Sequence, residues 1–353
     1  MSFSAFDHPY LGGLLGDEEI ARHFSAEADC RAMLHFEAAL AKAEGAQGLI
    51  PLEAAARIAE AAAALQPDIE RLRIAVSVDG VVVPELVRQL RQAVGEPHAR
   101  HVHFGATSQD VIDTSLMLRL KPVLAVLETR LIALLRSLAD LNERFGSNAL
   151  MAHTRMQPAI AILVSDRVAA WDGPVARAAE RLSQTIAANL PIQFGGAAGS
   201  LDRLGGKATS IRALLAQELG LADAPQWHSQ RDRLADLANI LSLITGALGK
   251  FGQDIALLAQ AGGEIELAGG GGSSAMPHKQ NPVAAETLVA LARFNATQLG
   301  GMHQALVHEQ ERSGAAWTLE WLLLPAMVCA AAASVRIALE LAGNIRSLGR
   351  LPP

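Results

Sequence analysis

Two long seams of apolar residues constrain the fold more than any other feature of this sequence. In each seam the apolar positions follow alternating spacings of three and four, so they share one face of an α-helix. The first seam runs from Leu124 to Leu141 and the second from Leu234 to Leu258. Repeats of this kind predict long helices that pack nearly parallel to each other in a bundle.

Further segments indicate the same architecture. A third long helix is expected from about Ile160 to Leu190 and a fourth from Ala284 to about Val307. Only 4% of the residues are aromatic, so the core must consist of aliphatic side chains, which favours helix packing over a β-sandwich. Since such helices exceed the usual globular length, we expect an all-α fold with an elongated central bundle of long helices.

The sequence predicts three parts of the chain. Residues 1–105 carry helical patches interrupted by prolines and predict a smaller N-terminal helical domain. Residues 106–342 form the predicted central bundle domain, in which the Gly-rich segment 194–206 is expected to be a loop or a short hairpin. Residues 343–353 are predicted to be a short C-terminal tail.

Composition and charge argue against several classes of partner. The 353 residues are 50% hydrophobic and carry a formal net charge of −6, which argues against nucleic acid. The apolar stretches carry charges at short intervals, so no membrane span is expected. The first residues show no basic stretch followed by an apolar run, so no secretory signal is expected. Cys30 and Cys329 lie far apart, and we expect free buried thiols in the reducing cytoplasm. The histidines lack clustered ligand spacing, so no metal site is predicted.

The first candidate site is a polar segment at residues 269–282. Glycines open it, and Ser273, Ser274, Lys279 and Asn281 follow within nine residues. Prolines prevent a regular helix here, so these groups are expected to lie on a loop. Hydroxyl, ammonium and amide groups together suit a carboxylate that gains negative charge during a reaction. Composition alone is equally consistent with a flexible connection.

A second candidate cluster precedes the first seam. It contains His101 and His103, followed by Thr107, Ser108 and Asp110. Each of the last three residues can cap the helix that follows. Capping is compatible with ligand binding, because the free amides at a helix start also attract anions. His101 is expected to be structural.

The remaining polar clusters are less specific. His153 and Gln157 flank Arg155 in a short run, although a single histidine near a helix start is often structural. Arg312 ends a charged run that could equally be a solvated helix face, but its guanidinium suits a carboxylate. The segment 227–233 is also polar, and its charges could simply open the next long helix.

Together these clusters resemble the fumarase/aspartase superfamily of lyases, which add or remove groups β to a carboxylate. Gly-Ser-Ser-x-Met-Pro-x-Lys-x-Asn-Pro at 272–282 is similar to its signature, and His-x-Gly-x-Thr-Ser-x-Asp at 103–110 is similar to a second motif. The resemblance implies a cofactor-free enzyme for a small polycarboxylate, and a homotetramer whose active sites are shared between subunits. Members commonly carry a further C-terminal helical domain, which we expect to be largely absent here.

The resemblance also implies roles for individual residues. Ser273 would transfer a proton to carbon, while Lys279 and Asn281 would stabilise an enediolate-like intermediate. His153 is a further catalytic candidate, and His153 or His103 could replace Ser273 as the proton donor. The implied substrate-binding residues are His103, Thr107, Ser108, Gln157, Ser274, Asn281 and Arg312.

One departure from the superfamily pattern narrows the implied reaction. Arg155 stands where members have a catalytic histidine, and a guanidinium is a poor general acid because it keeps its proton. Internal lactonisation needs no such acid, because the nucleophile is a carboxylate already within the substrate. The resemblance therefore implies a cycloisomerase acting on a carboxylated muconate. The alternatives are a sulfonated muconate, a fumarate-releasing elimination of the argininosuccinate or adenylosuccinate type, and a non-catalytic oligomer.

Overall fold

The computed structural model describes residues 4–272, 276 and 280–350, and this part of the chain is predominantly helical. Four short strands accompany the helices: β1 (Ala149–Thr154), β2 (Gln157–Leu163), β3 (Ile265–Leu267) and β4 (Ile345–Leu348). The all-α prediction is confirmed. The helices are α1 (Gly12–Leu15), α2 (Glu18–Ala21), α3 (Ala26–Ala46), α4 (Leu52–Ala64), α5 (Ile69–Asp79), α6 (Val83–Val94), α7 (Ser108–Phe145), α8 (Val164–Ala187), α9 (Ala208–Leu219), α10 (Asp232–Ala261), α11 (Val283–Gln304) and α12 (Gly314–Gly343).

Helices α7, α8, α10, α11 and α12 pack together as the central bundle. The seam residues of α7 are at most 1% exposed and those of α10 at most 4% exposed. Each buried leucine contributes about 1.5–3 kcal/mol relative to an exposed one, so the two seams supply much of the driving force for assembly. With 38 residues, α7 spans about 57 Å and sets the length of the molecule.

Two glycines allow α10 and α11 to approach closely. A Cβ atom added at Gly249 would stand 2.4 Å from the Cβ of Ala292. One added at Gly252 would stand 2.6 Å from the carbonyl oxygen of Ala285. Both glycines are therefore required by helix packing rather than by backbone conformation.

A β-hairpin replaces the beginning of the expected third helix. Residues 149–163 form strands β1 and β2, and α8 begins at Val164 instead of about Ile160. The apolar run in β2 does not alternate with polar residues, and such a run does not distinguish a strand from a helix. The turn consists of Arg155 and Met156, which both have positive φ angles, 48° and 66°.

Strands β3 and β4 pair antiparallel at the same end of the bundle as this hairpin. Ala149 of β1 bridges to Arg350, so residues expected to be a tail contribute to this end of the structure. Segment 194–206 is a loop that leads into a 3₁₀ turn at Asp202–Lys207. Buried apolar side chains from residues before and after 105 form one continuous cluster, and the three-part division stays a prediction.

Helices α10 and α12 are long and apolar enough to cross a membrane by length and composition alone. In each helix, however, 67% of the most apolar stretch is buried inside the protein, as is usual for core helices. Cys30 and Cys329 are both buried and unpaired, as predicted. Burial raises the pKa of each thiol to about 11, so neither is a reactive thiolate at neutral pH.

Candidate active site

The N-terminal end of α7 forms the first part of the candidate site. Thr107 is the residue before the helix, and Ser108 is its first residue. The side chain of Asp110 accepts a hydrogen bond of 3.0 Å from the backbone N–H of Thr107. Thr107 is therefore the N-cap residue and Asp110, at the third helical position, is its capping partner, while Thr107 and Ser108 are half-buried at a helix start suited to an anion.

Asp110 also anchors the loop that follows α8. Its fully buried carboxylate accepts hydrogen bonds from the backbone N–H groups of Gly195 (2.8 Å) and Gly196 (2.9 Å). The Nε2 atom of His228 lies 2.9 Å from the same carboxylate. A Cβ atom at Gly196 would come within 2.8 Å of the carbonyl oxygen of Gly105, so this close contact requires glycine. Asp110 thus holds three chain segments in one corner.

Arg312 lies in this same corner. Its Nε donates to the Oε1 atom of Gln109 at 2.9 Å, and its Nη2 donates to the carbonyl oxygen of Ala197 at 3.2 Å. Gln109 in turn donates to the carbonyl oxygen of His228 at 2.9 Å. The guanidinium is exposed, so it is oriented by the protein and still accessible to a carboxylate.

His103 is held by a buried carboxylate. Its Nδ1 atom lies 2.7 Å from the Oε1 atom of Glu37, which is 1% exposed, and the residue has a positive φ of 62°. Burial lowers the pKa of His103, but the charge of Glu37 and the hydrogen bond to it outweigh this effect. The pKa of His103 is therefore held above its ordinary value. This environment favours the cationic form of the imidazole beside the helix start.

A network of buried ion pairs centred on Arg231 lies next to this corner. The Nε atom of Arg231 donates to Glu320 on α12 at 2.8 Å, and its Nη2 donates to Asp113 on α7 at 3.1 Å. Trp317 donates its Nε1–H to Asp113 at 3.0 Å. Burial acts to lower the pKa of Arg231, but its two carboxylate partners raise it overall. The network joins the starts of α7, α10 and α12.

The hairpin lies apart from this corner. His153, Arg155 and Gln157 are all exposed, and the Nδ1 atom of His153 lies 3.2 Å from the carbonyl oxygen of Met151. His153 and Arg155 line a cavity of about 700 Å³ together with residues of α8 and α10. Among the described residues its charged lining is mainly cationic, with Arg167 and Lys250 beside one carboxylate, Asp254.

The polar segment at 269–282 is closed at its base by two backbone hydrogen bonds. Gly271 and Asn281 each donate to the carbonyl oxygen of the other at 2.9 Å. A Cβ atom at Gly271 would come within 2.5 Å of the side chain of Val283, so the pairing favours glycine there. Asn281 is half-buried, while Ser273, Ser274 and Lys279 lie outside the described residues.

The candidate residues lie at two separate places in the structure. Asn281 precedes α11 and Arg312 follows it, and the 22 residues of this helix span about 33 Å. The hairpin turn borders Lys250 on α10, about 30 Å along that helix from Arg231. The structure therefore brings His103, Thr107, Ser108 and Arg312 together and leaves His153, Gln157 and Asn281 far from them.

Two parts of this arrangement were not predicted from the sequence. The sequence of segment 227–233 is consistent with charges that simply open the next helix, yet His228 and Arg231 are both buried and bonded to carboxylates of α7. Asp110 and Asp113 are three residues apart and so share a helix face. This spacing in the sequence indicates two carboxylates on one face of α7. Only the tertiary packing shows that His228 and Arg231 lie against them.

Comparison with known proteins identifies the class to which this fold and these motifs belong. Residues 17–294 match the model of a lyase family, and the chain belongs to this family, within the fumarase/aspartase superfamily. The 3-carboxy-cis,cis-muconate cycloisomerase of Pseudomonas aeruginosa is 42% identical over 326 residues, which cover 90% of this chain and 71% of that protein.

A solved structure shows the same relationship. The 3-carboxy-cis,cis-muconate lactonizing enzyme from Pseudomonas putida superposes with a TM-score of 0.90 at 36% identity, covering 96% of this chain and 77% of the other. A relative with a different name is the N-acetyl-S-(2-succino)cysteine lyase of Enterococcus italicus. It is 33% identical over 317 residues, covering 88% of this chain and 69% of that protein.

Proposed function

We propose that this chain is a 3-carboxy-cis,cis-muconate cycloisomerase of protocatechuate degradation. It converts 3-carboxy-cis,cis-muconate to 4-carboxymuconolactone by adding one substrate carboxylate across a C=C bond and protonating the adjacent carbon. The observation that carries the proposal is the 42% identity to a cycloisomerase over nine-tenths of the chain, together with the matching fold. The nucleophilic carboxylate is ionised at neutral pH and already attached to its target, so no base is needed to activate it.

The electrostatics of the α7 corner suit a substrate with three carboxylates. We propose that His103, the helix start at Thr107 and Ser108, and Arg312 bind these carboxylates, and the presence of all of them in one corner supports this. Lys279 and Asn281 are proposed to stabilise the enolate, with Ser273 as proton donor and His153 as the alternative donor. Gln157 and Ser274 complete the proposed binding set.

We propose that each active site is shared between subunits of a homotetramer. The position of Asn281 before α11 and of Arg312 after it supports this, because the 22 residues of that helix span about 33 Å, more than one small substrate can bridge within a chain. In a symmetric oligomer, the corner of one subunit can meet the hairpin and polar segment of others. We also propose a cytoplasmic location, and the reaction as written needs no cofactor.

The direct test is turnover of 3-carboxy-cis,cis-muconate by the purified protein. We expect loss of the diene absorbance and appearance of the γ-lactone by NMR. Arg312→Ala and Asn281→Ala should each lower kcat/KM at least about tenfold, because each removes a charge or hydrogen bond from the developing enolate or its carboxylates. An unchanged spectrum at high enzyme concentration would exclude the proposed reaction.

A second candidate function is β-elimination. The relative named N-acetyl-S-(2-succino)cysteine lyase favours it, because a chain with 33% identity over most of this sequence carries that name. Incubation with N-acetyl-S-(2-succino)cysteine, argininosuccinate and adenylosuccinate, with fumarate as the measured product, separates elimination from lactonisation. A sulfonated muconate remains a third candidate, and comparison of its kcat/KM with that of the carboxylated compound decides between the two.

A further inference from the structure

Helix α3 places two carboxyl groups in the interior beside the proposed substrate corner. Glu37 and Glu44 are seven residues apart, on one face of the helix, and each is 1% exposed. Glu37 contacts His103 through Oε1 at 2.7 Å. Its Oε2 atom and both carboxyl oxygens of Glu44 are buried without a hydrogen-bond partner in the described part of the chain. Packing alone does not explain two acidic residues in such a place.

The two carboxyls have different neighbours. Burial and the nearby Glu37 raise the pKa of Glu44 to about 9, so Glu44 is protonated at neutral pH. Glu37 is the carboxyl group that faces the imidazole of His103, with its Oε1 atom 2.7 Å from Nδ1. An ion pair at this distance in a buried site favours the cationic form of the histidine.

The contact also determines which nitrogen of His103 is available. Because Nδ1–H donates to Glu37, the Nε2–H bond is the one that remains for a ligand. The side chain is 16% exposed, so it is not sealed from the substrate corner. The helix start at Thr107 lies four residues further along the chain, and an anion there would meet both the amides and the imidazolium.

We propose that Glu37 is a positioning residue that acts through His103, holding it as a cation whose Nε2–H donates to a substrate carboxylate. The inference rests on the proposed function, because it assigns His103 to the substrate. No proton transfer is required: the imidazolium donates one hydrogen bond to Glu37 and one to the ligand. Other charged groups acting on the dyad are Arg91 on α6, which opposes the cation, Asp110 on α7, which favours it, Glu44 on α3, and Arg203, which acts on Glu44.

The first test is Glu37→Gln, which keeps the shape and removes the charge. The charge and hydrogen bond of Glu37 are then lost, so burial lowers the pKa of His103 and only the smaller effect of Asp110 opposes this. We expect KM for 3-carboxy-cis,cis-muconate to rise about tenfold at pH 8 while kcat stays within about threefold, because a charge-assisted hydrogen bond to bound substrate is lost. The KM defect should shrink as the pH is lowered, because acid favours the protonated imidazole of His103 in both proteins.

Two controls separate this role from a structural one. Glu44→Gln replaces a neutral acid on the same helix and should change KM less than about twofold at pH 7. In a His103→Asn background, Glu37→Gln should add less than about twofold, because its effect passes through the missing imidazole. Additive losses, or an equal loss in Glu44→Gln, would overturn the proposal.

The titration of His103 can be measured without turnover, so the role of Glu37 can be tested separately from the proposed reaction. NMR of protein labelled with ¹³Cε1-histidine, with His103→Asn used for assignment, follows the titration of His103 itself. We expect its pKa to fall in Glu37→Gln and to stay unchanged in Glu44→Gln. If Glu37→Gln leaves the titration unchanged, the dyad is refuted. If it shifts although the wild-type protein does not turn over the substrate, the dyad stands and the proposed reaction fails.

Discussion

Charged residues are buried in this protein where they pair with opposite charges on distant helices. The residues next to them in the sequence do not show which partner each one has. His103, Thr107 and Ser108 could be chosen as candidates because a dense polar run before a long seam is rare in an aliphatic chain. Arg231 could not be chosen in this way, because its neighbours in sequence are as polar as those of an ordinary helix start. Its importance comes from the carboxylates that oppose it on other helices.

The burial of Glu44 predicts that the free energy of unfolding depends on pH. Its pKa is about 9 in the folded protein, above that of an unfolded glutamate, so folding takes up a proton between about pH 4.5 and 9. The contribution to the free energy of unfolding is present below pH 4.5 and is lost as pH rises toward 9, by at most about 1.4 kcal/mol per pH unit.

Glu44→Gln removes this titration. The stability of the variant relative to the wild type should therefore increase from pH 5.5 to 8.5, measured as the midpoint of thermal unfolding. Near pH 4.5 the two proteins should behave alike, which serves as the internal control. Parallel pH profiles would show that Glu44 is ionised in the folded protein.

At the scale of elements, the apolar seams of α7 and α10 could be predicted from the sequence. Alternating spacings of three and four, repeated over many turns, indicate the buried face of a long helix. The hairpin of β1 and β2 was not, because seven apolar and neutral residues in β2 show no alternation. The sequence also contains no Asn-Gly or Asp-Gly pair at the turn, where such pairs are usual. Arg155 and Met156 instead adopt positive φ angles, which cost more for residues with side chains.

The close packing of α10 against α11 makes an element-level prediction. Gly252→Ala should lower the free energy of unfolding by about 1–3 kcal/mol, because the new methyl group would overlap the backbone of α11. Gly246→Ala is the matched control on the same helix, since no atom of the described residues lies within 4 Å of the added Cβ. It should raise stability by about 0.5–1 kcal/mol through helix propensity alone. Urea unfolding of both variants tests this, and equal effects of the two would refute the packing argument.

At the scale of the whole molecule, the sequence indicates a bundle but not which motifs share an end of it. That depends on helix lengths and direction, which place the start of α7 with the end of α11 and the polar segment at the opposite end. The shared site was therefore implied by resemblance and not by pattern. The length of α11, which separates Asn281 from Arg312 within one chain, now gives a physical reason to expect a shared site.

Mixing experiments test this division. Asn281→Ala and Arg312→Ala should each be nearly inactive, but when they are unfolded together and refolded, activity should return. Random assortment leaves about a quarter of the shared sites with both residues intact. A mixture of Gln109→Ala with Arg312→Ala is the control, because these residues touch within one chain and no arrangement restores the corner. Recovery in the control mixture, or none in the first, would contradict a shared site.

The paired hydrogen bonds between Gly271 and Asn281 have a consequence for how such an enzyme can diversify. The scaffold fixes both ends of the intervening segment, and doubling the length of a loop adds only about 0.6 kcal/mol of closure cost. Sequence changes between Gly271 and Asn281 leave both anchoring residues and the start of α11 as they are. Substrate preference can therefore diverge among related enzymes while the bundle stays the same.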